Sequence, residues 1–166
     1  MTSLLPTAAF VVPGVAAPVG ASPPQAPAAI IRSHEASSTQ QLAAREVRRY
    51  MYMRTGELLP IVDHVPATGD AILLATDESL SDQQYRLQTT VDRGRSVLRI
   101  TGGSEIAVLY GVYQFAEELG IRFSLDADVI PDQKIAFALP HLDETHTPLF
   151  ELRGWIRVAG LTPQPL

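Results

Sequence analysis

Two adjacent acid pairs, Glu117-Glu118 and Asp143-Glu144, are the first candidates for acid–base chemistry in this sequence. Hydrolysis by paired carboxyls sets the two groups on either side of a scissile bond, about 5–10 Å apart. Helix neighbours point about 100° apart, so Glu117 and Glu118 do not face each other. Asp143 and Glu144 lie in a proline-bounded stretch, "PHLDETHTP". Both pairs read as solvated surface. The histidines are His34, His64, His141 and His146. A helical zinc site needs H-E-x-x-H, but after His34-Glu35 the second histidine position holds Ser38. No G-x-S-x-G elbow presents a serine nucleophile. Gly102-Gly103-Ser104 before a helix offers backbone amides to an anion, yet lacks the lysine of a phosphate loop and reads as a plain strand-to-helix turn. Arg45, Arg48, Arg49 and Arg54 read as a solvated helix face, with no interleaved aromatic residues to stack bases. The sequence holds no cysteine, which excludes disulfides, thiol nucleophiles and cysteine-ligated metals. No catalytic residue, metal or cofactor is expected.

These residues must be positioned by few elements. Ile30-Ile31 predicts a short first strand. Ser37-Ser38-Thr39 offers capping hydroxyls, with Ser38 and Gln41 in capping-box spacing. From there to Arg54 the spacing of Ala43, Val47, Tyr50 and Met51 predicts a helix, ended by Gly56. "AILLA" at 71–75 predicts a buried strand. "YRLQTTV" at 85–91 alternates, and with "SVLRIT" at 96–101 it predicts a hairpin. Ser104 caps a second helix running to about Leu119, and Gly120 ends it. Short strands are expected at 121–123 and 135–139, a linker at 140–149, and a further strand from Phe150.

The second helix carries apolar residues on two stripes. One is Ile106, Leu109, Tyr110 and Tyr113; the other is Val108, Val112, Phe115 and Leu119. A helix on one face of a sheet needs one stripe. The expectation is that Val108, Val112, Phe115 and Leu119 meet a partner domain; the alternative is that the first helix covers them. Gly111, mid-helix, is expected to admit another backbone.

The whole chain has 166 residues, 46% of them hydrophobic, and a net charge of −5. That suits one folded domain and gives no basic surplus for nucleic acid. Residues 1–31 carry no charge and six of the 13 prolines. Residues 1–27 read as an Ala/Pro-rich leader, with Leu4–Val19 and "VGA" in the style of a signal peptide but without its positive start. Pro and Gly interrupt every long apolar run, so no membrane span is expected. The expected location is secreted or periplasmic, otherwise cytoplasmic.

The segments "SVLRITGGSEIA" and "LYGVYQFAEELGIRF", with "AAREVRRYMYMRTGELLPI" and "VIPD", resemble the N-terminal accessory domain of large carbohydrate-cleaving enzymes. The resemblance is to the second domain of family 20 β-N-acetylhexosaminidases and to the N-terminal domain of α-glucuronidases of families 67 and 115. It implies an α+β two-layer sandwich over 28–139: a four- to five-stranded, mostly antiparallel sheet with two helices on one face. It implies a non-catalytic role beside a (β/α)8 barrel in the same or a neighbouring polypeptide, with a carbohydrate substrate for the parent enzyme. "PLFELRGW", running from the linker into the segment 150–166, resembles the start of that barrel, and the likeness makes Arg153 a candidate sugar-binding residue. The barrel's catalytic carboxylates match no position here, so this chain alone is expected to be inactive. A free-standing secreted binding or interaction module is the alternative.

Overall fold

The structure, a computed structural model, describes residues 28–92 and 94–150. The described elements are β1 (Ala29–Ile31), α1 (Ser38–Thr55), β2 (Ile61–Val62), β3 (Ala71–Thr76), β4 (Tyr85–Asp92), β5 (Arg95–Gly102), α2 (Glu105–Glu118), β6 (Arg122–Phe123), β7 (Asp128–Val129) and β8 (Asp143–His146). One six-stranded sheet has the order β2-β1-β3-β5-β4-β8; β6 and β7 form a separate small hairpin. The fold is α+β.

The sheet is mixed rather than mostly antiparallel. β1 pairs in parallel with β2 and β3, and β3 with β5; β4 runs antiparallel to β5 and β8. The cause is α1, because a strand–helix–strand connection returns the chain in parallel. The 140–149 stretch is not a plain linker, since its residues 143–146 are the sixth strand, paired to β4. The expected strand at 135–139 is absent, and the region from Phe150 onward lies almost wholly outside the described residues.

Both helices begin and end on local signals. Ser37, one residue before the expected capping box, accepts from the amide of Gln40, and Ser104 accepts from that of Ala107. Gly56 and Gly120 take left-handed conformations at φ 82° and 86°. One sheet face meets the helices. The register aligns Ile30, Ile72 and Leu98 in one row and Leu74, Ile100 and Leu87 in the next, and all six are buried in the core.

The second stripe of α2 is covered within this chain. Val108, Val112, Phe115 and Leu119 are 0%, 0%, 1% and 5% exposed, so they present nothing to a partner. α2 packs on the sheet and alongside α1, where Ala116 and Tyr113 pack with Tyr50. Of the other stripe, Leu109 is also buried, Tyr110 and Tyr113 are half-buried, and Ile106 is exposed. Gly111 admits side chains rather than a backbone: a Cβ there would stand 2.7 Å from Ile100 Cγ2 and 3.4 Å from Tyr85 Cδ2.

Candidate functional site

The buried stripe of α1 (Ala43, Ala44, Val47, Tyr50, Met51 and Arg54) leaves Arg45, Glu46, Arg49 and Tyr52 on its outer side. After α2, the turn at Gly120 and the buried anchor Ile121 fold the β6–β7 hairpin back onto both helices. Phe123 of β6 meets Tyr50 and Tyr113 edge-to-face, with ring centres 5.6 and 5.3 Å away, and Tyr50 meets Tyr113 at 6.3 Å. Asp128, opposite Phe123 in the hairpin, accepts a 3.0 Å hydrogen bond from the Tyr50 hydroxyl. The Arg49 guanidinium lies 4.9 Å from the Tyr50 ring centre and pairs with Asp128 at 3.5 Å and Glu46 at 3.3 Å.

These six residues line an open groove of about 610 Å³. Glu46 and Arg49 form its shared wall with a second groove of about 310 Å³, lined further by Arg45, Arg48, Tyr52, Met53 and Leu58. The Lys134 ammonium donates to the carbonyls of Tyr52 and Met53 and stands 5.8 Å from the Tyr52 ring centre. Leu125 and Val129 on the hairpin are 79% and 58% exposed. The outer face is therefore a ridge between two grooves, flanked by an apolar hairpin.

Burial pushes the Tyr50 phenol above its ordinary value of 10, and the hydrogen bond to Asp128 pushes it further. Burial raises Tyr113 as well, with the Glu46 carboxylate adding to it. A phenol whose pKa is higher folded than unfolded stabilises the fold fully below the unfolded pKa and loses that contribution as pH climbs toward the folded one. Stability should thus decline above about pH 10 as unfolding releases these phenols to ionise. Absorbance titration at 295 nm checks this: Tyr50 and Tyr113 ionise late, and Asp128→Asn brings Tyr50 forward.

The other sequence candidates fall apart as sites. Arg153 lies outside the described residues. Asp143 and Glu144 are successive residues of β8 and so face opposite sides of the sheet. Register places Glu144 opposite Leu87, where it lies 3.3 Å from the His146 imidazole; that ring stacks on Tyr85 at 5.1 Å. The structure does bring His34 and His64 together: their Nδ1 atoms share the Asp63 carboxylate at 2.9 and 3.0 Å. The bonds from His64 and then His34 hold Asp63 down at about 2. Among the described residues, no group of three or more His, Asp or Glu is placed to hold a metal ion. At the glycine turn the Gly103 amide donates to Gln84 O, so it is not free for an anion.

Sequence reasoning missed the outer face because Tyr50 reads as core and Asp128 as loop. The composition of the face, arginine and tyrosine at helical spacing, was the available signal.

No family model and no curated protein matches the chain. Solved structures do. A family GH115 4-O-methyl-α-glucuronidase with specificity for decorated arabinogalactans superposes with a TM-score of 0.53 at 19% identity, over 74% of this chain and 17% of that one. The chain shares a fold with part of a glycoside hydrolase. It spans about one-sixth of that enzyme's length. The family GH20 β-N-acetylhexosaminidase from Streptomyces coelicolor A3(2) is 24% identical over 62% of this chain and 19% of that one, at a TM-score of 0.39. A GH138 enzyme targeting pectin rhamnogalacturonan II is 12% identical over 57% of this chain and 13% of that one, at 0.38. Among the described residues no helix is long and apolar enough to cross a membrane.

Proposed function

We propose that this chain is a non-catalytic accessory domain of a secreted or periplasmic glycoside hydrolase of hexosaminidase-like or α-glucuronidase-like kind. Its catalytic partner is a (β/α)8 barrel in the same or a neighbouring polypeptide, and that barrel acts on the carbohydrate. The observation that carries the reading is the fold, shared with a segment about one-sixth the length of a GH115 enzyme. The site chemistry agrees. Glu46 and Asp128 line one groove as an acid pair would, but the Arg49 guanidinium is bonded to both.

The test is hydrolysis of aryl β-N-acetylglucosaminides and aryl α-glucuronides by the purified chain and by the polypeptide its gene or the neighbouring gene encodes. The expected result is no turnover by the chain alone and turnover by the polypeptide containing the barrel. Turnover by the chain alone, abolished by Glu46→Gln or Asp128→Asn, overturns the reading. An unrelated neighbouring gene, with no barrel encoded, favours a free-standing interaction module instead.

A further inference from the structure

We propose that the outer edge of β8 is an interaction surface for a second copy of this chain, the two β8 strands pairing antiparallel about a two-fold axis at Thr145. The proposal does not depend on the accessory-domain reading.

The edge comes first. β8 ends the strand order of the sheet, and among the described residues nothing pairs with it on the side away from β4. Its register sets Glu144 opposite Leu87 and His146 opposite Tyr85, and two residues further along the same register the Thr89 amide donates to Leu142 O. Hydrogen-bonded pairs alternate along an antiparallel ladder. Residues 142, 144 and 146 therefore turn their backbone groups toward β4, and Asp143 and Thr145 turn theirs outward. Such an uncovered row is a template for another strand. β8 holds neither the proline nor the lysine that blunts an edge.

Charge chooses the occupant and the register. Side chains alternate along a strand, so Glu144 and His146 share the sheet face of Leu87, and Asp143 and Thr145 share the other. A two-fold axis normal to the sheet keeps each face on its own side and makes the contact the same in both copies. With Thr145 on the axis, Glu144 of each copy lies opposite His146 of the other, at a non-hydrogen-bonded position, where side chains stand closest. Asp143 then lies opposite Thr147, whose hydroxyl accepts from Gln84 and keeps its own proton to donate. With Glu144 on the axis, carboxylate would face carboxylate, which opposes that register. Asp-Glu-Thr-His is thus complementary to itself in one register. A single copy also leaves the pair unfinished. His146 Nε2 stands 3.3 Å from Glu144 Oε2, yet Nε2 and Glu144 Oε1 are buried with no hydrogen-bond partner among the described residues. Buried polar atoms are rarely left unmet. The second copy brings an imidazole beside each carboxylate and a carboxylate beside each imidazole.

Sedimentation velocity of the purified chain is the test. An edge of this length is much smaller than a standard interface, so the expected dimer is weak and is sought from about 10 µM to 1 mM. Thr145→Pro removes an outward amide and no bond to β4. It deletes both backbone bonds at the axis and should weaken the dimer about tenfold or more. Glu144→Arg alone takes away the carboxylate that meets His146, and His146→Glu alone sets two carboxylates together, so each variant should dimerise less than the unaltered chain. An equimolar mixture of these two variants should regain dimer, because both cross-strand pairs then join opposite charges. Circular dichroism checks that each variant folds. A monomer at every concentration overturns the proposal. A dimer that Thr145→Pro leaves unchanged overturns the β8 edge as its surface. Loss with Thr145→Pro but no recovery in the mixture overturns the Glu144–His146 register. A monomer whose Thr145 amide exchanges slowly with deuterium means that the chain covers its own edge, and overturns the second copy as occupant.

Discussion

Arg54→Met is expected to lower the stability of the chain by about 3–4 kcal/mol, the scale of leaving buried partners of a charged fork unmet. Arg54 stands in the last turn of α1 and is 5% exposed. Its Nε donates to Leu119 O at 2.7 Å, and one terminal nitrogen donates to Pro131 O at 2.8 Å and to Gln133 O at 2.7 Å. Three carbonyls thus meet one guanidinium, with no carboxylate among them. Leu119 caps α2, so the guanidinium sits where that helix's carbonyl dipoles point. The Ile135 amide donates to Arg54 O at 2.8 Å, which fastens the 131–135 segment to α1 a second way. Methionine keeps the aliphatic stem and deletes every donor. Lysine keeps the charge but presents a point rather than a fork, so Arg54→Lys should recover part of the loss and not all of it. Urea unfolding followed by circular dichroism measures both variants. At roughly 2–4 °C per kcal/mol for a domain of this size, the methionine variant should melt some 6–16 °C lower. A loss below about 1 kcal/mol, the worth of one ordinary hydrogen bond, would mean the fork is not what joins the two helix ends.

Arg54 also shows where legibility in the sequence stopped. Its place near the end of α1 was visible, but it read as one of four solvated arginines and is instead buried. Its partners lie 65 to 79 residues away and leave no local trace. The same division runs through the fold. Both helices, the Ser104 cap, the glycine stops and the β4–β5 hairpin were legible because each is written in neighbouring residues; at α1 the cap is Ser37, one residue before the expected box. β2 and β8 were not. β2 is two residues long, and β8 reads Asp-Glu-Thr-His, a polar string that becomes a strand only through pairing with β4. The parallel half of the sheet was available from the strand–helix–strand order, and the family resemblance overrode it. The surplus of apolar surface on α2 was real. Periodicity records that a side chain is buried and not what buries it, so the expectation of a partner domain was wrong and the alternative, α1, contributes the cover. At the outer face, Tyr50 belongs to the buried stripe and also lends its hydroxyl to Asp128, 78 residues on. A pattern of apolar spacing carries the first fact only.

Gly103→Ala is expected to have the largest effect of any single methyl added to this chain. A Cβ at Gly103 would lie 1.9 Å from Ser81 O, 2.6 Å from Ser81 C and 2.7 Å from Leu80 O. All three atoms are backbone, so no rotamer change relieves the clash. The turn they belong to is held in place from the same side: Gly103 N donates to Gln84 O at 2.9 Å, and the Ser104 hydroxyl donates to Asp82 O at 2.6 Å. Displacing the 80–84 turn breaks both bonds and disturbs Ser104, which caps α2. The cost should exceed about 4 kcal/mol, the range reserved for changes that force the backbone to move. Gly56→Ala is the matched control. Gly56 has φ +82° and nothing within 4 Å of its Cβ position, so alanine there meets only the left-handed penalty of about 1–2 kcal/mol. Gly103 has no positive φ, so its requirement for glycine is close approach alone. Soluble yield and urea midpoints of the two variants separate these causes. Equal losses at both positions would show that the 80–84 turn can yield and that the glycine pair serves conformation rather than contact. The expected inequality makes Gly102-Gly103-Ser104 a close-packed joint between β5 and α2, with the Gly103 amide already bonded to Gln84 O.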